Sequence, residues 1–209
     1  MFDIDRCVQQ HRLVSDQVTA EEVKLVLNQL SRIIAAGVDG DVVELGCYKG
    51  TTSLFLQRAL QALAPQRKLY LYDSFSGLPT KTVEDQAGLG DEFKPGELCA
   101  TKRELVDNFR RASLPLPIIK KAWFKDLRAE DLPSKIAFAY FDGDFYDSIK
   151  DSFHACANKL AGQSSIVVDD YGNEHLPGAR RAVDEWCSTN YKRVDSIRLQ
   201  ASLAIIKLN

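Results

Sequence analysis

Two short stretches carry acidic residues at a spacing that could do chemistry: Phe141-Asp142-Gly-Asp144 and Val168-Asp169-Asp170. Each follows a run of buried-type β-formers, Ile136-Ala-Phe-Ala-Tyr-Phe141 in the first case and Ser165-Ile-Val-Val168 in the second. As neighbouring strands of a parallel sheet, the two runs would end at one rim, about 5 Å apart. Four carboxylates gathered there would repel one another unless a cation sat among them. Oxygen ligands without His or Cys select hard ions such as Mg²⁺, Ca²⁺ or Mn²⁺. The competing expectation is that each Asp caps the helix behind it, since Asp is a favoured N-cap. Capping accounts for one Asp per strand and leaves the second of each pair without a reason.

A third carboxylate sits in a different setting. The stretch Asp41-Val-Val-Glu44-Leu-Gly46-Cys-Tyr48-Lys-Gly50-Thr51 reads as a strand, an acidic residue, a tight Gly turn and a helix start. The glycines run Gly46-x-x-x-Gly50, not the G-x-G-x-x-G of a dinucleotide site. Glu44 just before the first Gly would repel a pyrophosphate and attract a cation. A cationic nucleoside such as S-adenosylmethionine (SAM) suits that better, although the turn alone is equally an ordinary strand-to-helix connection. Asp73 ends the next strand, Lys68-Leu-Tyr-Leu-Tyr-Asp73, where an acidic residue typically takes ribose hydroxyls. It could equally start the turn at Ser74.

These residues need elements to hold them. Thr19 with Glu22 forms a capping box, and Val23, Leu27, Leu30 and Ile34 recur at helical spacing, which predicts an N-terminal helix over 19–37. Leu56, Leu60 and Leu63 predict the helix opened by Thr51 and Thr52. Residues 80–100 are rich in Gly, Pro and charge, which reads either as a lid that orders with ligand or as a plain insertion. Leu105 and Phe109 face inward on a helix from Thr101 to Ala112, and Ile118-Ile119 is a short strand. Trp123-Phe124 just beyond it could wall an adenine ring or simply pack in the core. A helix carrying Ile149, Phe153, Ala157 and Leu160 on one face follows Tyr146. The chain closes with strands predicted at Tyr191–Ile197 and Ser202–Lys207, turning near Leu199-Gln200.

Composition sets the outer limits. At 209 residues, 45% hydrophobic and 27% charged, the chain suits one globular domain spanning 1–209. A formal net charge of −2 without a long basic run argues against nucleic acid as the main partner. No apolar stretch reaches transmembrane length, and the N-terminus lacks the shape of a signal peptide. Five cysteines without C-x-x-C pairing suggest reduced thiols and a cytoplasmic location.

Six motifs taken in order resemble the TylF/MycF (macrocin O-methyltransferase) family. They are Glu44-Leu-Gly-Cys-Tyr-Lys-Gly50, Tyr72-Asp-Ser-Phe-Ser-Gly-Leu-Pro79, Lys121-Ala-Trp-Phe124, Phe141-Asp-Gly-Asp-Phe-Tyr-Asp-Ser148, Val168-Asp-Asp-Tyr-Gly172 and Gly178-Ala-Arg-Arg-Ala-Val-Asp-Glu-Trp186. Ala122 stands where the family usually has Gly. The resemblance implies a class I, SAM-dependent and metal-dependent O-methyltransferase acting on sugar hydroxyls of natural products. It implies an α/β, Rossmann-like fold with a seven-stranded, mostly parallel sheet and a C-terminal antiparallel hairpin. Asp142, Asp169 and Asp170 would be metal ligands for Mg²⁺ or another hard divalent cation, and Asp144 the general base. The candidate cofactor set is Glu44, Gly46, Tyr48, Thr51, Asp73, Ser74, Trp123, Phe124 and Asp142. The expected partner is a small-molecule or glycan acceptor with adjacent hydroxyls, with no nucleic acid and no membrane, and with room for a homo-oligomer. The alternatives are a catechol-type enzyme on an aromatic diol and a non-catalytic SAM- or metabolite-binding protein.

Overall fold

The computed structural model describes residues 2–86 and 93–209. Seven strands form one sheet: β1 (Asp41–Leu45), β2 (Leu69–Asp73), β3 (Ile118–Lys121), β4 (Ile136–Phe141), β5 (Leu160–Val168), β6 (Val194–Gln200) and β7 (Leu203–Leu208). Their order is β3-β2-β1-β4-β5-β7-β6. The first five pair in parallel, and β7 runs antiparallel to both β5 and β6. This is the α/β architecture expected, with its mostly parallel sheet and closing hairpin.

Side chains alternate across the central strands and build two cores. Val42, Phe138 and Tyr140 face α1 (Ile4–Gln10), α2 (Ala20–Ala35), α3 (Thr51–Leu63) and α4 (Lys102–Arg111). Val43, Leu45, Ala139 and Phe141 face α5 (Tyr146–Cys156) and α6 (Pro177–Thr189). Burial on both faces is why β4 reads as a continuous apolar run. The capping box holds at the start of α2, where the Glu22 amide donates to Thr19 Oγ1 and the Thr19 amide to the Glu22 carboxylate.

Two boundaries differ from the sequence reading. Leu160 does not continue α5; it opens β5, and the strand bends at Gly162-Gln163, where Gln163 has φ 62°. That bulge breaks the alternation and hides the first half of the strand. The hairpin strands also lie later than predicted, with the turn at Ala201-Ser202. Most of β6 is exposed at the sheet edge, so no buried face marks its register. The lid reading of 80–100 falls partly on residues 87–92, which lie outside the described residues.

Register is what positions the site. Leu45 pairs with Tyr72 on one side and Phe141 on the other, and Phe141 pairs with Val168. Gly46, Asp73, Asp142 and Asp169 follow these residues and therefore share one rim. Strand order reverses between β1 and β4, which makes that rim a topological switch point, the place where such sheets bind ligands.

Candidate active site

At this rim lies a cavity of about 200 Å³. Five of its lining residues are aspartates: Asp73, Asp142, Asp144, Asp169 and Asp170. No described lining residue is basic. Capping does not explain the pairs: α5 and α6 begin after Phe145 and Leu176, and neither helix is capped by Asp142, Asp144, Asp169 or Asp170.

Asp142, Asp144 and Asp170 each offer an oxygen within 4.8 Å of the others. Burial pushes the Asp142 and Asp144 carboxyls well above the usual range, and neighbouring Asp170 and Asp169 push further. Asp170 is raised to about 7, first by burial and then by Asp169. These directions reflect carboxyl groups crowded together away from water. An all-oxygen set of this kind fits a hard divalent cation. Asp169 sits beneath, held on both oxygens. Its Oδ2 accepts from Tyr140 Oη (2.6 Å), and its Oδ1 accepts from the Asp170 amide (2.8 Å) and Ser202 Oγ (3.3 Å). Tyr140 Oη also lies 3.5 Å from Asp142 Oδ2.

The loops that present these groups are bent away from ordinary backbone. Tyr48, Phe75, Asp144 and Asp170 all have left-handed φ values of 44–60°. Each such non-Gly residue stores roughly 1–3 kcal/mol, and strain of this kind gathers at working sites. At Asp144 the Phe145 amide donates to the Gly143 carbonyl (2.6 Å) and closes a γ-turn that aims the carboxylate at the cavity.

The Gly turn is built by Asp73. Its Oδ2 accepts from the amides of Cys47 (2.9 Å) and Tyr48 (3.0 Å), and its Oδ1 accepts from the Phe75 amide (2.7 Å). Two carboxylate oxygens offer about four acceptor positions, so Asp73 keeps little capacity for a ribose. Gly46 is required for a packing reason: a Cβ there would fall 1.8 Å from the Asp142 carbonyl oxygen. Glu44 lies under this turn, 1% exposed. Burial raises its carboxyl to about 8, with Asp73 adding to the shift and nearby Ser53 opposing it. Neither Glu44 Oε2 nor Ser53 Oγ has a hydrogen-bond partner of proper geometry. A buried carboxylate oxygen without a partner is a costly group to keep, and one that a cation brought near it would satisfy.

The structure therefore brings Gly46, Tyr48, Asp73, Ser74, Trp123, Phe124, Asp142, Asp144, Asp169 and Asp170 to one cavity. Glu44 does not line it; it is buried beside Asp73 and Ser53. Thr51 is elsewhere, buried at the start of α3 with its Oγ1 2.7 Å from Ser15 Oγ. Sequence reasoning missed Asp85. This residue is buried in a 3-10 turn, and its Oδ1 accepts the Tyr146 amide (2.7 Å) at the start of α5. Gly178 of α6 makes room for it, since a Cβ there would lie 1.8 Å from Asp85 Oδ1. Only Thr82 three residues ahead of Asp85 hinted at a cap, and nothing local named its far partner. For an aromatic acceptor, the 80–100 stretch by itself offers only Leu89 and Phe93 as apolar contacts near the site. Leu89 lies outside the described residues, but Leu78, Leu98 and Leu176 join Phe93 on the cavity wall.

The family model for macrocin-O-methyltransferase (TylF) matches residues 12–199. The chain belongs to that family. Relatives include an 8-demethyl-8-(2,3-dimethoxy-α-L-rhamnosyl)-tetracenomycin-C 4'-O-methyltransferase of Streptomyces olivaceus, 28% identical over 161 residues, covering 74% of this chain and 60% of the relative. A mycinamicin III 3''-O-methyltransferase of Micromonospora griseorubida is 27% identical over 172 residues, covering 77% and 66%. The chain thus spans about 60% of the first of these TylF-family proteins. Among solved structures, the O-methyltransferase NovP superposes with a TM-score of 0.80 at 23% identity, over 92% of this chain and 81% of its own. The calicheamicin methyltransferase CalS11 gives 0.68 at 18% identity, over 98% and 90%. These two show that the fold is that of class I methyltransferases.

Proposed function

We propose that this chain is a SAM-dependent O-methyltransferase that uses a divalent cation to methylate one hydroxyl of a vicinal diol, on a sugar or related natural product. The observation that carries this reading is the aspartate cluster without a basic partner, on the rim of the cavity that also holds the Gly46 turn. Family membership and relatives named for sugar O-methylation support the substrate class.

Asp142 and Asp170 would hold the cation, with Asp169 backing them from beneath, and the Gly46–Gly50 turn with Ser74, Trp123 and Phe124 would hold SAM. When bound, SAM supplies the methyl group and the cation lowers the proton affinity of a hydroxyl beside it. The rest falls to this chain's own side chains. Asp144 accepts the proton of the reacting hydroxyl on its carboxylate, and burial, which raises its proton affinity, suits it to that task. Glu44, protonated to about pH 8 on its own, would give up its proton to solvent when a cationic donor binds near it, Asp73 keeps the turn rigid, and Leu78, Leu98 and Leu176 keep water from the acceptor.

The test is methyl transfer from SAM to a panel of rhamnosides and other glycosides, with catechols included because of the apolar wall, in Mg²⁺ and in EDTA. Transfer that stops in EDTA and returns with Mg²⁺ supports the reading. Transfer that ignores EDTA removes the cation from it. Asp144→Asn should keep S-adenosylhomocysteine affinity and lose turnover by roughly 10²–10⁴-fold; full activity would remove Asp144 from the base role.

A further inference from the structure

A second cavity, of about 360 Å³, shares no lining residue with the candidate active site. Three arginines from three segments converge on it: Arg12 after α1, Arg58 on α3 and Arg111 at the end of α4. Val14 and Leu54 add apolar wall, and no described lining residue is acidic. Among the described residues, none of the three arginines has a carboxylate in ion-pair reach, whereas Arg103 and Arg110 of α4 share Asp107. Arg12 and Arg111 are exposed, but Arg58 is half-buried and its Nη1 is fully buried without a hydrogen-bond partner. A guanidinium N–H left unpaired in that way is costly unless something else fills the place.

Arg58 and Arg111 are also held in position. The Phe55 ring stacks 5.3 Å from Arg58 Cζ. Arg111 Nη1 donates to Asn108 Oδ1 (3.0 Å), and Asn108 Nδ2 donates to the Lys49 carbonyl (2.8 Å) in the Gly turn. Two pre-set guanidinium forks match a tetrahedral oxyanion, and with Arg12 the positive charge exceeds that of a single carboxylate. Burial draws Arg58 below its ordinary value, with nearby Cys7 opposing the shift.

We propose that the Arg12–Arg58–Arg111 cavity is an anion site for the phosphate or pyrophosphate group of a small molecule, separate from the methyl-transfer site. The volume exceeds that of one phosphate and leaves room for a diphosphate. Three arginines at one cavity, on a chain of net charge −2, do not suit a nucleic-acid backbone, which needs a basic stripe.

The test is calorimetric titration of the intact chain with pyrophosphate and with inorganic phosphate, in chloride buffer, with and without saturating S-adenosylhomocysteine. Pyrophosphate should bind more tightly than phosphate, bind equally well with the nucleoside present, and raise the thermal midpoint. Arg58→Gln and Arg111→Gln should each weaken it by about tenfold or more. Arg12→Gln, at an exposed position, gives a variant whose folding is not at issue and should weaken it in the same direction. No binding at millimolar pyrophosphate overturns the proposal. So does affinity unchanged in all three variants, and so does displacement by S-adenosylhomocysteine.

Discussion

Replacing Glu44 by Gln should stabilise this protein, and the gain should grow with pH. Glu44 is 1% exposed, and burial lifts its carboxyl from an ordinary 4.5 to about 8. The unfolded chain ionises this group above about pH 4.5, while the folded chain keeps the proton until about pH 8. Folding therefore binds a proton between those values, and stability falls as pH rises through them. Each unit of separation is worth about 1.4 kcal/mol. Near pH 7 the native carboxyl costs roughly 3 kcal/mol relative to its own low-pH state, and by about pH 9 roughly 5 kcal/mol. The Gln side chain stays neutral throughout, and its amide can meet the unpaired Ser53 Oγ. Urea unfolding of both proteins near pH 5, 7 and 9, without SAM and in EDTA, isolates the effect, because the aspartate cluster is common to both. The expected gain near pH 7 corresponds to a rise in midpoint temperature of roughly 6–12 °C. A difference that stays flat across the range, or a variant less stable at the top of it, refutes the reasoning. SAM affinity should move the other way and fall in the variant.

Mg²⁺ should raise the thermal midpoint more at pH 8 than at pH 5. Asp170, raised to about 7 by burial and Asp169, makes the metal-free protein less stable as pH climbs towards and past that value, by at most about 4 kcal/mol. A midpoint rise independent of pH would show that the ion binds elsewhere. Asp85→Ala and Gly178→Ala should each cost roughly 2 kcal/mol in urea unfolding, and the double variant clearly less than the sum, since the first removes and the second displaces the same Asp85–Tyr146 bond. Strict additivity would separate the two residues. Asp73→Asn should lose roughly 1–3 kcal/mol of stability together with S-adenosylhomocysteine affinity, because an amide cannot accept all three backbone N–H groups. Retained affinity would mean that the Gly turn holds without it.

Much of the fold was legible because its signals are local. Apolar runs buried on both faces marked β4 and the second half of β5, and the Thr19–Glu22 capping box marked α2. A strand end is also local, so Asp73, Asp142 and Asp169 could be assigned to one rim before any coordinates. The bulge at Gln163 and the exposed edge strand β6 were not legible, because neither carries the buried alternation that fixes register.

What the sequence by itself determined is which chemical groups stand at the carboxyl ends of the strands, and in what order. Only the tertiary structure decided what each group does there. Asp73 turned its oxygens to amides 25 and 26 residues away, and Asp85 reached an amide 61 residues on. Asp144 joined Asp142 and Asp170, while Asp169 sank beneath them onto Tyr140. Arg12, Arg58 and Arg111 met in a cavity that no spacing announces. The physical reason is range: backbone periodicity records which face a residue occupies, whereas a hydrogen bond or a charge pair is fixed by whichever distant group packing brings within about 3 Å.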